Sequence, residues 1–259
     1  MPDNTLLHYS QSGAGEPLII LHGLFGSSKN WQSLARVFAE HFKVYSLDLR
    51  NHGQSFHHQD IDYRLMVEDV YRLLQHLNIN SCRVIGHSMG GKIAMLLAVE
   101  HAAMVSQLVV ADISPVPYPH EYEHLIDPIL SLELDRYDSR SSIDAALQID
   151  IPESSLRAFL MQNLLRDGEH WRWKVNWQAI KRNLDKITGY SELPQDWQIA
   201  CPTLFIRGEK SNYIGAAEEK LIDQHFNSVA IKTLANAGHW LHAEQPRAFA
   251  RLVLEFLLD

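Results

Sequence analysis

The sequence predicts an α/β protein with a mostly parallel sheet flanked by helices, and two observations support this prediction. Short apolar runs of strand length alternate with longer segments of helical period, the order expected when parallel strands are joined through helices. The chain also has 259 residues, of which 46% are hydrophobic. It is therefore long enough for one sizeable domain with a filled core.

Four strands are predicted in the first half of the chain, each from a short apolar run. They are PLIILH (17–22), KVYSLDL (43–49), CRVIGH (82–87) and QLVVAD (107–112). Segments with apolar residues at helical spacing lie between them, over 28–41, 62–77 and about 89–102. The resulting βαβαβαβ order predicts parallel pairing, because each strand is reached through a helix.

A different pattern follows Asp112. Prolines at 115, 117, 119 and 128 prevent a continuous strand or helix, and the residues beyond them are mostly helical in period, as in SLRAFLMQNLL and WQAIKRNLDKI. The chain then closes with a strand at 201–208, a helix at 216–226, a strand at 229–234 and a helix from about 244. We therefore expect a core formed by 1–112 and 200–259, with 113–199 inserted as a helical cap.

Charge and composition narrow the class of ligand. The formal net charge is −8 and the pI is about 6.0, so there is no electrostatic reason to expect binding to nucleic acid or to an anionic membrane surface. The first residues lack the basic and apolar regions of a signal peptide, and no later stretch approaches the roughly 20 apolar residues of a membrane span. We expect a cytoplasmic protein with a small-molecule substrate. Cys82 and Cys201 lie at strand-like positions suited to buried free thiols.

The motif Gly86-His87-Ser88-Met89-Gly90 lies between a predicted strand and a predicted helix. A serine in such a tight turn takes a strained backbone conformation, and the flanking glycines let strand and helix approach closely enough for it. The free amides at the start of the helix, that of Met89 first, point to where negative charge develops on a substrate oxygen. Ser88 is therefore the predicted nucleophile, although so short a pattern also occurs by accident in turns.

The segment LHGLFGS (21–27) follows the first predicted strand. A His-Gly turn at this position lays a second backbone amide, that of Leu24, opposite the amide of Met89, and two such donors form an oxyanion hole. Glycine also serves ordinary turns, but ligands bind beyond the strand ends in open α/β sheets. We expect Leu24 and Met89 to be the oxyanion donors.

The general base is predicted in ANAGHWLHAE, after the last predicted strand. Neutral imidazole can take the serine proton near pH 7 and return it to the leaving group. His239 stands out among 15 histidines because it follows the nucleophile in a Gly-His turn. Its nearest rival, His242, is better explained as a surface histidine at a helix start, and His87 is expected to be structural. The pair His57-His58 has no third ligand in view, so we predict no metal site.

These motifs resemble those of the α/β-hydrolase superfamily, and the resemblance covers nearly the whole chain. Within the superfamily, GHSMGGK, ADISP, WRWKVNWQAI and NAGHWLHAE are similar to motifs of the small bacterial esterases of the YbfF type and of related abhydrolase domain-containing proteins. Four motifs in the right order make the resemblance specific. It implies serine esterase chemistry on acyl esters and thioesters, with acyl-CoA hydrolysis known in the family, and it implies no cofactor.

The acid that orients His239 has two candidates. Many members of the superfamily place it after the strand equivalent to TLFIRG, but Ser211 and Asn212 stand near that place here. In the YbfF-like pattern the acid is the aspartate of ADISP, which implies Asp112, although DISP would also suit a turn or helix cap. Glu209 stays open as the alternative, because it sits in the usual turn and its longer side chain could reach the imidazole.

Several other side chains are weaker candidates. Phe25, Tyr118 and Trp177 are expected to line an apolar substrate pocket, although each would serve equally well in packing. Lys92 is expected either to point from the helix start toward an anionic acyl group or to be an exposed helical lysine. Arg50 is expected to form an ion pair that braces its loop.

The leading hypothesis is a serine esterase or thioesterase in which Ser88 forms an acyl-enzyme and water activated through His239 releases it. One alternative is a C–C or amide hydrolase with the same triad. Another is a ligand receptor with a hydrolase fold and little turnover, against which an intact set of serine, histidine and acid argues.

Overall fold

The structure is a computed structural model that describes residues 6–118, 122–190, 193–194 and 196–259. The strands are β1 (Tyr9–Ser12), β2 (Pro17–Leu21), β3 (Lys43–Leu47), β4 (Cys82–His87), β5 (Val105–Ala111), β6 (Leu164–Asp167), β7 (His170–Trp173), β8 (Thr203–Gly208) and β9 (Val229–Leu234). The helices are α1 (Gln32–Phe38), α2 (Tyr63–His76), α3 (Met89–Glu100), α4 (Glu123–Ser131), α5 (Arg140–Leu147), α6 (Ser154–Met161), α7 (Trp177–Arg182), α8 (Leu184–Gly189), α9 (Ala216–His225), α10 (Leu241–Glu244) and α11 (Pro246–Leu258).

Seven strands form one sheet in the order β1-β3-β2-β4-β5-β8-β9. Every pair in it is parallel except β1 with β3. The predicted α/β fold with a mostly parallel sheet is therefore confirmed. Because β4 lies at the centre of the sheet, the residue that follows it stands in the middle of the edge where the strands end.

The apolar strand runs are explained by burial on both faces of the sheet, as shown by β2. Leu18 and Ile20 belong to one hydrophobic cluster and Ile19 and Leu21 to the other, and all four side chains are at most 1% exposed. Successive strand residues point to opposite faces, so a strand covered by helices on both sides is apolar throughout.

Strand β1 was not predicted, because its sequence YSQS carries no apolar signal. It lies at the sheet edge, where its residues are exposed or half-buried. It pairs antiparallel with β3, from Tyr9 opposite Leu47 to Ser12 opposite Val44. Edge strands need less apolar surface than central ones, and the pattern of hydrophobic residues therefore does not reveal this strand.

The segment between β5 and β8, predicted to be a helical cap, contains helices α4 to α8 and also an antiparallel hairpin. Strands β6 and β7 pair through the two-residue turn Gly168-Glu169, and Gly168 has φ 64°. Glycine with positive φ at the first position of such a turn is a known hairpin signal. The hairpin adds to the helices expected in this segment and was not predicted from the sequence.

Side-chain hydrogen bonds join that segment to the edge of the sheet where the strands end. Asn163 Nδ2 donates to the carbonyl oxygen of Phe25 at 2.8 Å, and the Tyr190 hydroxyl donates to that of Lys92 at 3.0 Å. Helix α3 is buried from Met89 to Ala98. This burial explains why its residues are apolar on nearly every side. The bounds 113–199 for a separate cap stay a prediction.

Two sequence expectations concern the chain as a whole. Among the described residues, no helix combines the length and the apolar character that crossing a bilayer requires. Both cysteines are free, but only Cys82 is fully buried, whereas Cys201 is half-buried. Burial raises the pKa of the Cys82 thiol to about 12, which makes it a poor nucleophile near neutrality.

Candidate active site

The candidate active site lies at the carboxyl ends of β4, β5 and β8, where open parallel sheets bind their ligands. Ser88 directly follows β4 and precedes α3, and its backbone is strained, with φ 52° and ψ −120°. A Cβ atom on Gly86 would lie 2.3 Å from the carbonyl oxygen of Gly90, and one on Gly90 would lie 2.3 Å from that of Leu21. Both glycines are therefore needed for the strands and helix to approach.

Ser88, His239 and Asp112 form one continuous row of hydrogen bonds. His239 Nε2 lies 3.0 Å from Ser88 Oγ, and His239 Nδ1 lies 2.7 Å from Asp112 Oδ2. Because a carboxylate only accepts hydrogen bonds, the imidazole proton is on Nδ1 and the lone pair of Nε2 faces the serine hydroxyl. This arrangement can pass a proton from Ser88 to the imidazole.

Asp112 is fully buried and accepts two further hydrogen bonds. The amide of Gly208 donates to Oδ1 at 2.9 Å, and the hydroxyl of Ser211 donates to Oδ2. A buried carboxylate needs such donors to offset its lost hydration. Ser211 stands in the turn that the sequence analysis gave as the usual place of the acid, and its hydroxyl donates to Asp112 instead.

Glu209, the other candidate acid, is engaged elsewhere. Its Oε2 atom accepts a hydrogen bond of 2.7 Å from the amide of Asn236, and its side chain is exposed. Of the two candidates, the structure brings Asp112 to the imidazole of His239 and leaves Glu209 bound to a neighbouring turn.

His87 supports the loop that carries His239. Its Nε2 atom donates a hydrogen bond of 2.8 Å to the carbonyl oxygen of His239. Burial lowers the pKa of His87 well below its usual value, so the ring is neutral near pH 7 and carries its proton on Nε2. Gly23 makes room for the ring, since a Cβ atom there would lie 2.8 Å from His87 Nδ1. This geometry agrees with the structural role expected for His87.

Two buried histidines, His22 and His52, fix the turn that carries Leu24. His52 Nε2 accepts a hydrogen bond of 3.2 Å from the amide of Phe25, which has φ 63°. His22 Nδ1 donates to the carbonyl oxygen of Gly23 at 2.8 Å. Burial lowers the pKa of both rings, that of His52 to about 3, so each can accept through one nitrogen. Sequence reasoning missed both: His22 precedes the motif glycine, whereas nothing local marks His52.

The predicted oxyanion donors, the amides of Leu24 and Met89, belong to residues that line the same space beside Ser88. Within the described residues, neither amide takes part in a hydrogen bond. Met89 is also the first residue of α3, where the partial positive charge of the helix favours an anion. Neither amide is therefore committed to another acceptor within the described residues.

His242 differs from its expected place at the protein surface. It does lie at the start of a helix, α10, but it is only 5% exposed, because its ring stacks on Trp31 with centroids 4.4 Å apart and planes 3° apart. Burial lowers its pKa to about 3. The indole that covers it comes from a distant part of the chain, and no local pattern reveals this burial.

Lys92 is likewise buried, at 2% exposure, so the expectation of an exposed helical lysine was wrong. Its Nζ atom lies over the rings of Tyr63, Tyr118 and Tyr190, 4.7 to 5.7 Å from their centroids. These contacts stabilise a cation through the faces of the rings.

The ion pair expected for Arg50 is confirmed. Its Nε atom lies 2.5 Å from Asp69 Oδ2, and both side chains are buried. The guanidinium also donates to the carbonyl oxygens of Asp60 and Leu65, at 3.1 and 3.0 Å. Arg50 therefore braces its loop from within.

Two cavities formed by the described residues border Ser88. The larger has a volume of about 210 Å³ and the smaller about 30 Å³. Phe25 lines the larger and Tyr118 the smaller. Trp177, by contrast, is not among the residues that line either cavity. It is 1% exposed and packs behind Phe25, with ring centroids 4.9 Å apart, so its expected place in a pocket wall is not supported.

The side chains of His57 and His58 each contact a neighbouring group of the protein. His57 Nε2 donates to the carbonyl oxygen of Lys174 at 2.8 Å, and His58 Nδ1 lies 3.7 Å from Asp60 Oδ2. In the part of the chain that the structure describes, no group of three His, Cys, Asp or Glu side chains could hold a metal ion.

Comparison with known proteins gives the family. A family model described as alpha/beta hydrolase fold matches residues 16–246. The chain belongs to the α/β-hydrolase family. This confirms the family that the sequence motifs indicated, and the row formed by Ser88, His239 and Asp112 lies within the matched region.

Individual relatives of this α/β hydrolase are named as esterases and lipases. A protein of Xenopus laevis named sn-1-specific diacylglycerol lipase ABHD11 is 35% identical over 257 residues, which cover 96% of this chain and 82% of that protein. The esterase YbfF of Escherichia coli is 31% identical, with 94% and 93% covered. A solved structure described as a marine microorganism esterase is 38% identical, has a TM-score of 0.94 and covers 98% of this chain and 100% of its own. The predicted enzyme class, a hydrolase acting on ester bonds, is confirmed.

Proposed function

We propose that this α/β hydrolase is a serine esterase or thioesterase that cleaves acyl esters through Ser88, His239 and Asp112. The observation that supports the proposal most directly is the row of hydrogen bonds from Ser88 Oγ through both nitrogens of His239 to Asp112 Oδ2, at 3.0 and 2.7 Å. The names of its relatives point to the same reaction class. A cytoplasmic location remains an expectation from the sequence.

In the first half of the proposed reaction, Ser88 Oγ attacks the carbonyl carbon of the bound ester while His239 Nε2 takes the hydroxyl proton. The carbonyl oxygen becomes an oxyanion, and the amides of Leu24 and Met89 are the donors that would stabilise it. As the tetrahedral intermediate collapses, His239 passes the proton to the leaving oxygen or sulfur. An acyl-enzyme on Ser88 and a free alcohol or thiol result.

In the second half, His239 takes a proton from a water molecule, which attacks the acyl-enzyme. The tetrahedral intermediate then collapses to the free acid, and the proton returns to Ser88 Oγ. Asp112 keeps the imidazole in the tautomer that accepts at Nε2 and stabilises the imidazolium formed in each half. This reaction uses no cofactor.

The nucleophile is tested by labelling the purified protein with a fluorophosphonate and locating the adduct by mass spectrometry. We expect rapid stoichiometric modification of Ser88 and no modification of that peptide in Ser88→Ala. Substitution of an exposed serine, Ser155→Ala, is the matched control and should label normally. An inert Ser88 in the folded wild-type protein would favour a ligand receptor over an enzyme.

The reaction is tested by comparing a 4-nitrophenyl ester, an acyl-CoA and an anilide that carry the same acyl group. We expect hydrolysis of the ester, with the thioester showing whether a sulfur leaving group is accepted. If Ser88 is labelled but neither the 4-nitrophenyl ester nor the acyl-CoA is hydrolysed, Ser88 would remain the nucleophile and a C–C or amide hydrolase would be favoured.

A further inference from the structure

The two cavities beside Ser88 differ in which catalytic groups they contact. Both are bordered by Ser88 and Leu24, so each can receive one substituent of a carbonyl carbon attached to the serine. His239 lines the large cavity of about 210 Å³ and does not line the small cavity of about 30 Å³. The small cavity is instead bordered by Met89, the second proposed oxyanion donor.

This difference decides where the two halves of a substrate lie. The leaving atom must come within hydrogen-bond reach of His239 Nε2, because that nitrogen supplies its proton. A leaving group seated in the small cavity would lie away from His239, whereas one in the large cavity lies beside it. The acyl substituent is then left with the small cavity, next to the oxyanion donors.

The small cavity accommodates only a short substituent. A volume of roughly 10–15 Å³ is needed to hold one water molecule, so about 30 Å³ admits about two groups of that size. Its wall includes Lys92, Ile113 and Ile187, which are 2%, 3% and 4% exposed. A longer chain would have to displace these packed side chains, and close-packed interiors resist such displacement.

The large cavity has a different character. Its wall includes Leu125, Leu156, Phe159 and Trp240, so it suits an apolar group of several carbons. Resting on the proposed function, we propose that the enzyme is selective for esters and thioesters of short acyl groups, acetyl or propionyl, whose alcohol or thiol carries an extended apolar portion.

Two substrate series test this inference separately. In 4-nitrophenyl esters the leaving group is constant, and we expect kcat/KM to be highest for acetyl or propionyl and at least about tenfold lower for hexanoyl and octanoyl. In ethyl, butyl and hexyl acetate the acyl group is constant and the intrinsic reactivity is similar, and we expect kcat/KM to rise with the length of the alcohol.

Matched variants assign each series to its cavity. Ile187→Ala enlarges the small cavity and should raise hexanoyl ester hydrolysis relative to acetyl at least about fivefold, with Ile187→Val giving a smaller change in the same direction if the alanine variant melts too early. Leu156→Ala, in the wall of the large cavity, should alter the preference among the alcohols and leave the acyl preference unchanged.

The opposite pattern would overturn the inference while leaving the proposed function in place: octanoyl esters cleaved faster than acetyl esters, with the acyl preference changed by Leu156→Ala and not by Ile187→Ala. Absence of turnover with every ester, together with a Ser88 that does not label, would overturn the esterase function and the inference with it.

Discussion

Replacement of Asp112 by asparagine tests the proposed acid most sharply, because the two side chains have the same shape. Asp112 Oδ1 accepts from the Gly208 amide at 2.9 Å, and Oδ2 accepts from His239 Nδ1 at 2.7 Å. Asparagine has one oxygen and one NH₂ group at these positions. If the oxygen faces Gly208, the NH₂ group donates to His239 Nδ1, the imidazole proton moves to Nε2, and Ser88 loses its base.

The opposite orientation of the amide does not rescue the enzyme. It would place the NH₂ group against the Gly208 N–H in a fully buried site, and leaving buried donors unpaired costs about 1–3 kcal/mol. The Gly208 amide therefore favours the inactive tautomer. In a serine protease the equivalent change lowers kcat about 10⁴-fold. We expect a loss of about 10³- to 10⁴-fold here, or roughly 4 to 5 kcal/mol in activation free energy, because an ester is less demanding than an amide.

The assay is kcat and KM for a 4-nitrophenyl ester near pH 7, with folding of each variant checked by thermal melting. Glu209→Gln is the matched control, since its carboxylate accepts from Asn236, and we expect it to stay within about threefold of wild type. An Asp112→Asn protein with more than about a tenth of the wild-type kcat, or a crippled Glu209→Gln protein, would refute this reasoning.

Three further predictions concern a hydrogen-bond donor to Asp112, a glycine under the nucleophile turn and two buried histidines. Ser211→Ala removes one donor from a buried carboxylate and should lower kcat about 3- to 30-fold with little change in KM; an unchanged kcat would show that the hydroxyl does not help to hold the acid. Gly90→Ala forces a Cβ atom to within 2.3 Å of a β2 carbonyl oxygen and should lower the melting temperature by several degrees, as measured by calorimetry, because backbone must shift; a wild-type melting temperature would contradict this. Burial lowers the pKa of His52 and His242 to about 3, below the unfolded value, so the stability that depends on their neutral forms is complete above about pH 6.5 and is lost as the pH falls toward 3. At pH 5, each ring should lower the free energy of unfolding by roughly 2 kcal/mol. Urea unfolding at pH 7 and pH 5 should therefore show a smaller difference in this free energy for His242→Phe than for wild type. An equal difference would exclude His242 as a source of the acid sensitivity.

Most of the fold could be predicted because its central strands are buried on both faces and are apolar throughout. Strand β1 was not predicted because an edge strand needs no such run, and the β6–β7 hairpin was not predicted because its turn, Gly168-Glu169, lies among residues whose period resembles a helix. The pattern of hydrophobic residues reveals a strand only where the strand buries apolar side chains, and these two segments bury few of them.

The residues of the candidate site also differ in how well the sequence predicts them. Ser88 and His239 are marked by the turns that carry them, and Asp112 by its resemblance to one branch of the family rather than by its own surroundings. The burial of Lys92 and His242 depends on tyrosine and tryptophan rings from distant parts of the sequence. Packing between remote segments determines how exposed such residues are, so their exposure cannot be predicted from the residues next to them in the sequence.

The hydrogen bond that Ser211 donates to Asp112 limits which side chains position 211 can carry. The two side chains touch the same small region next to the imidazole, so a carboxylate at both positions would bring two like charges into contact, and one of them would hold its proton near neutrality. A carboxylate introduced at position 211 would therefore disturb the pairing of Asp112 with His239. In this protein the uncharged hydroxyl of Ser211 instead donates to Asp112 without bringing a second charge into contact with it.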